Sequence, residues 1–154
     1  MQYTGSFRQV YWEDVQSAFH LPAVHMDITF RKCVLHVAAG WDYMPGHHDP
    51  EYARSQGTRT AFLNTLFHQS FVDRIVTDWA GPRTFINRRK IAMKAAICAG
   101  DRITGTATVT RVYRHESGHG RVDLDVWIRN QDGVDCCVAD ATITLPARSD
   151  AAAR

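Results

Sequence analysis

No stretch of the 154-residue chain approaches the ~20 consecutive apolar residues that cross a bilayer as a helix. Its first residues, Met1-Gln2-Tyr3-Thr4-Gly5-Ser6, lack the charged-then-apolar layout of a secretion signal. Charge of one sign is also scarce. Eighteen Lys and Arg against 16 Asp and Glu leave a net charge of +2, too little for a general nucleic-acid coat. Only four cysteines are present, Cys33, Cys98, Cys136 and Cys137, and no two stand in a Cys-x-x-Cys pair. That spacing speaks against a four-cysteine zinc site or a disulfide scaffold. They read as reduced thiols filling small apolar gaps in a cytoplasmic protein. On a strand, the adjacent Cys136 and Cys137 are expected to point to opposite faces. Internal repeats and low-complexity linkers are missing as well.

The chain does have enough apolar residues, 45%, to fill one core. The pattern predicts a helix from Phe30 to Ala39, capped by Thr29 and stopped by Gly40. Asp49 caps a second, short helix, with Pro50 in its first turn and Gly57 after its end. A long helix is expected from about Ala61 to Trp79. There Leu63, Leu66, Phe67, Ser70, Phe71, Ile75, Val76 and Trp79 recur at helical spacing, and Gly81-Pro82 ends it. The period then switches to two. Strands are predicted over about Thr84–Ala95, Arg102–Tyr113, Val122–Arg129 and Val134–Leu145, with turns at Glu116-Ser117-Gly118 and Gln131-Asp132-Gly133. A long helix followed by an antiparallel meander is an α+β plan. Trp12, Trp41, Trp79 and Trp127 read as packing residues, and Arg148 to Arg154 as a frayed polar tail.

Between the first two helices lies Trp41-Asp42-Tyr43-Met44-Pro45-Gly46-His47-His48. The Pro-Gly turn can bring Asp42 and His47 to one spot, where a carboxylate and an imidazole can share and activate a water. The same spacing also fits an Asp that caps a turn beside a surface His. His48 and Asp49 next to this pair carry no helical His-x-x-x-His spacing, so no metal is expected. Asn64 and Thr65 stand where the long helix begins, a place suited to an anionic oxygen, although Thr60 or Asn64 could equally be a cap. Arg88, Arg89 and Lys90, with Lys94, form the densest basic run; on a strand Arg88 and Lys90 share one face and Arg89 takes the other. Such a group could hold the phosphates of a nucleotide-bearing ligand, or could simply guard a strand edge by its charge. His20, His25, His36, His68, His115 and His119 show no ligand spacing and read as surface or internally satisfied groups.

With these residues in view, the chain resembles the MaoC-like hydratases of the hot-dog superfamily. Their Asp-x-Asn-Pro-x-His signature is met by Asp42-Tyr43-Met44-Pro45-Gly46-His47, with Met44 in place of the usual Asn and Gly46 in place of the usual Ile or Leu. Asp42-Tyr43, His47-His48-Asp49, Gln56-Gly57, Phe62-Leu63-Asn64 and the run from Val76 to Pro82 resemble, in particular, the small catalytic subunits of actinobacterial steroid side-chain enoyl-CoA hydratases. The resemblance implies one hot-dog domain over residues 1–147, a long central helix wrapped by a curved antiparallel sheet. It implies hydration of a trans-2-enoyl-CoA to a 3R-hydroxyacyl-CoA, or the reverse, with Asp42 and His47 catalytic; Asn64, Thr65, Arg88, Arg89 and Lys90, read above as places for an anionic oxygen and for phosphates, are the candidates to hold that substrate. No cofactor beyond the substrate's own CoA is implied. The site of such proteins lies between two hot dogs, so the expected partner is an identical chain or a second hot-dog subunit. A thioesterase or a non-catalytic acyl-CoA-binding subunit is the alternative on the same fold.

Overall fold

A computed structural model describes residues 8–149. After a 3-10 turn at Trp12–Asp14 come β1 (Val24–Asp27), α1 (Phe30–Gly40), a 3-10 turn at Pro45–His47, α2 (Pro50–Ser55) and α3 (Thr65–Ala80). Four strands follow: β2 (Phe85–Met93), β3 (Arg102–Arg114), β4 (Gly120–Arg129) and β5 (Asp135–Leu145). The five strands form one sheet in the order β1-β3-β4-β5-β2, antiparallel throughout, which leaves β1 and β2 at the edges.

The central helix is α3, and its buried residues Phe67, Phe71, Val72, Ile75 and Val76 recur in pairs every turn. They pack on the inward residues of the sheet, among them Ile103, Ala107, Leu124, Val126 and Ile143. Burying a Val, Leu or Ile side chain is worth roughly 1.5–3 kcal/mol, so this interface supplies the fold's main stabilisation. Helix and sheet are in tight contact at Gly105 of β3: a Cβ there would lie 2.3 Å from Ile75 Cδ1 and 3.0 Å from Phe71 Cε1. A bare backbone lets the helix seat itself across the strand.

Several boundaries differ from expectation. α3 starts at Thr65, because Asn64 caps it by accepting from the Phe67 N–H, and the preceding Ala61–Leu63 is extended. That extended piece is clamped by Leu63 N–H to Ile97 O, 2.9 Å, and Ala99 N–H to Ala61 O, 2.8 Å. α1 is capped by Thr29 as expected, but Gly40 is its last helical residue and Trp41 provides the left-handed stop, φ 55°. In that position Trp41 projects away from the body and is 80% exposed, so it is not a packing residue. β1 was not foreseen; it has four residues and alternates only between half-buried and exposed. Cys136 and Cys137 do not divide between core and solvent: a register shift opposite Ile128 and Arg129 opens the ladder, and both join the core. All four cysteines are free and buried. Arg148, expected to begin a frayed tail, ion-pairs with Asp14 at 2.7 Å; residues 150–154 lie outside the described residues. No helix among the described residues is long and apolar enough to cross a membrane.

Candidate active site

The Asp42–His47 loop is built by local chemistry. Pro45 starts a 3-10 turn whose Met44 cap accepts the Gly46 N–H on its Sδ at 3.0 Å. Gly46 then comes close to Phe62: a Cβ on Gly46 would lie 2.8 Å from Phe62 Cε1 and 3.0 Å from Met44 Cε. The Phe62 N–H donates to Gly46 O at 3.1 Å. Gly46 is thus packed by the Met44 side chain and the Phe62 ring with no room for a Cβ. His48 ends the turn, and Asp49 caps α2 by accepting the N–H groups of Glu51 and Tyr52.

This turn carries His47 inward, where it is 6% exposed, and its Nδ1 lies 2.7 Å from Phe62 O. A carbonyl only accepts, so Nδ1 carries the proton and a neutral His47 turns the lone pair of Nε2 to the cleft. Nε2 stands 3.5 Å from Asp42 Oδ2. Asp42 is less enclosed, with 39% of its side chain exposed. Asn64 orients it: Nδ2–H donates to Asp42 Oδ2 at 2.9 Å, while Oδ1 accepts the Phe67 N–H at 3.1 Å and meets His36 Nε2 at 2.7 Å. Since Oδ1 accepts from a backbone N–H, the amide cannot be reversed, and His36 must donate from Nε2. The chain of hydrogen bonds runs His36, Asn64, Asp42. The bond from Asn64 holds the Asp42 carboxyl below its ordinary pKa, helped by the Met44 N–H and by His47 and His36 nearby.

Asp42, His47, Asn64 and Thr65 line one cleft of about 420 Å³, closed on other sides by Met44, Phe62, Leu63, His68, Met93 at the end of β2 and the next three residues, Lys94, Ala95 and Ala96. The N–H groups of Thr65 and Leu66, in the first turn of α3, have no intrahelical acceptor, so the dipole end of the helix opens here. An acidic oxygen, a base and an anion-stabilising helix end thus surround one space. That arrangement can hold a water, take its proton and stabilise negative charge growing on an oxygen. Among the described residues no three His, Cys, Asp or Glu side chains gather as a metal site.

The structure does not bring Arg88, Arg89 and Lys90 to this cleft. They take the predicted alternate faces of β2, but Arg88 pairs with Asp140 of β5 at 2.7 Å and Arg89 with Asp73 of α3. Lys90 borders a shallow hollow on the other side of the sheet with Asp125 and Asp140. From the same basic run Lys94 does line the cleft. Two groups in or behind the cleft escaped the sequence reading. His36 is joined to Asn64 across 28 positions, which leaves no local trace. His68 had a trace, an imidazole between the apolar pairs of α3 at positions 67, 71 and 72.

No known protein-family profile matches the chain. A 71-residue stretch, 46% of the chain, is 37% identical to the 3-oxo-4,17-pregnadiene-20-carboxyl-CoA hydratase beta subunit of Mycobacterium tuberculosis; the match spans 55% of that relative's length. The ChsH1-ChsH2 complex of Mycobacterium tuberculosis contains a chain of the same fold, with TM-score 0.78 and 28% identity over 84% of this chain and 98% of that one. The chain has the hot-dog fold of these proteins. The R-hydratase PhaJ1 of Pseudomonas aeruginosa shares this fold at TM-score 0.81 and 17% identity, over 90% of this chain and 87% of that one. Such distant relatives keep the helix and its sheet while most side chains change.

Proposed function

We propose that this chain hydrates a trans-2-enoyl-CoA to a 3-hydroxyacyl-CoA, or runs the reverse dehydration. One observation carries the reading: Asp42 Oδ2 and His47 Nε2, both hydrogen-bond acceptors, stand 3.5 Å apart beside the open end of α3. A water seated over the pair donates to one of them and gives up its proton as its oxygen bonds to C3. The C2–C3 π electrons move toward the thioester, whose carbonyl oxygen becomes an enolate held by the N–H groups of Thr65 and Leu66. Asp42 or His47 then returns one proton to C2, and the sum is one water added. Nothing beyond the substrate's own thioester is required as a cofactor.

The names of the relatives extend the proposal. The curated relative acts on a bulky steroid thioester, and we carry that class, a steroid side-chain or other bulky enoyl-CoA, to this chain. Two solved neighbours, ChsH1-ChsH2 and HadBC, are two-protein assemblies, which supports a second hot-dog subunit or a second copy as partner.

The test is loss of enoyl absorbance with crotonyl-CoA and a steroid enoyl-CoA, with released thiol measured in parallel. Positioned proton transfer contributes ~10²–10⁴ in rate, so Asp42→Asn and His47→Ala should each lose at least a hundredfold while the far-UV spectrum stays unchanged. Near-normal hydration by Asp42→Asn refutes the assignment. Thiol release matching the absorbance loss makes the protein a thioesterase instead.

A further inference from the structure

His68 lies one turn into α3, on the helix face that carries Asn64, and lines the same cleft as Asp42 and His47. It is only 2% exposed, and its Nδ1 is sealed from solvent with no hydrogen-bond partner. The other buried α3 side chains nearby, Phe67, Phe71 and Val72, are apolar. A buried nitrogen without a partner is costly, and an apolar residue of similar size would avoid that cost. Structural packing alone therefore gives no reason for an imidazole here.

We propose that His68 donates a hydrogen bond from its neutral imidazole to an oxygen of the acyl thioester bound in this cleft. The proposal takes its ligand class from the hydratase reading and adds a side-chain donor that the reading does not use. Between the two ring nitrogens, a sealed site tolerates a lone pair better than an unpaired N–H, so the proton belongs on Nε2. Burial also pushes the imidazolium pKa from 6.5 down to about 4, which keeps the ring neutral at physiological pH. A neutral N–H places no full charge in the resting cleft, yet strengthens as negative charge grows on the oxygen it holds. Phe67 stands edge-on to the ring at 6.4 Å and offers no competing acceptor. The thioester carbonyl and an oxygen farther along the acyl group present the same chemistry to such a donor.

Two substrates and two variants distinguish them. Crotonyl-CoA has the thioester carbonyl as its sole acyl oxygen, whereas a hydroxy-terminated hexenoyl-CoA adds a second. His68→Leu is expected to lower kcat/KM on crotonyl-CoA about a hundredfold, mostly in kcat, and His68→Gln, which restores an N–H, should recover at least tenfold. The thermal midpoint of His68→Leu should equal or exceed that of the parent, because the unpartnered nitrogen is gone. A loss confined to the hydroxylated substrate assigns the bond to the chain oxygen. Wild-type rates in His68→Leu on both substrates, or equal losses in the Leu and Gln variants, overturn the proposal. If the parent hydrates neither compound, the hydratase reading fails separately. The His68 bond is then read by ring nitrogen NMR with saturated butyryl-CoA and hydroxyhexanoyl-CoA; a shift with either supports it, and a shift with neither overturns it.

Discussion

Asp42 has a partner on each side, and the two do different work. His47 faces it across 3.5 Å and supplies a second acceptor, whereas Asn64 donates to it and fixes its direction. The bond from Asn64 is the largest cause of the lowered Asp42 pKa, so Asn64→Ala should let that pKa rise toward 3.8. Activity that needs the carboxylate will then fall off at higher pH on the acid side, and the acid limb of log kcat/KM will move upward. An acid limb at the same pH as in the parent would show that Asn64 does not tune Asp42. The stability linkage has the matching sign: a carboxyl depressed in the folded state stabilises above its unfolded pKa and loses that contribution as pH falls. Asp42 and His47 were legible because a Pro-Gly turn ties them within six positions. Asn64 was legible only as a helix start, since its bond to Asp42 spans 22 positions and depends on how the loop folds.

Among the elements, the contact of α3 with β3 leaves no room for a side chain at Gly105. Gly105→Val should destabilise by about 1–3 kcal/mol, as overpacking does, and Ile75→Val in the same chain should recover part of it. Urea denaturation of the two single variants and the double tests this; strictly additive losses would mean that Gly105 and Ile75 do not compete for the same volume. α3 was readable from its sustained helical period, α1 and α2 from their cap and stop residues, and β2 to β5 from the switch to a period of two between turns. β1 was not, having only four residues with exposed His25 and Asp27 and owing its existence to pairing with Arg102–Gly105. The start of α3 was misjudged at Ala61 because the apolar residues Ala61 and Leu63 continue the helical pattern into an extended clamp. Cys136 and Cys137 went astray for a similar reason: a bulge is a property of two strands together, invisible in either sequence alone.

At the level of the molecule, β2 is an edge strand with no strand on its outer side among the described residues, and Phe85 and Met93 on it are 66% and 51% exposed. An edge of this kind invites a second chain. Light scattering should find the protein as a dimer of itself or bound to a second hot-dog subunit, and Phe85→Lys with Met93→Lys should shift that assembly toward the monomer. A monomeric parent that hydrates enoyl-CoA at full rate would remove the need for a partner. Arg88 and Arg89 fit this picture as structural groups, since their carboxylate partners on β5 and α3 tie the edge strand to the rest of the fold.

The interlocking of Gly46 with the Phe62 ring has a consequence over evolutionary time. A branched side chain at the first position needs the volume that the aromatic now fills, and shrinking the aromatic alone leaves a hole beside the base. Neither position can drift by itself, so the two form one heritable unit. A change of Gly46 to a branched residue such as Ile or Leu would have to bring a change of its aromatic neighbour with it, and the loop geometry would be kept or lost as a whole.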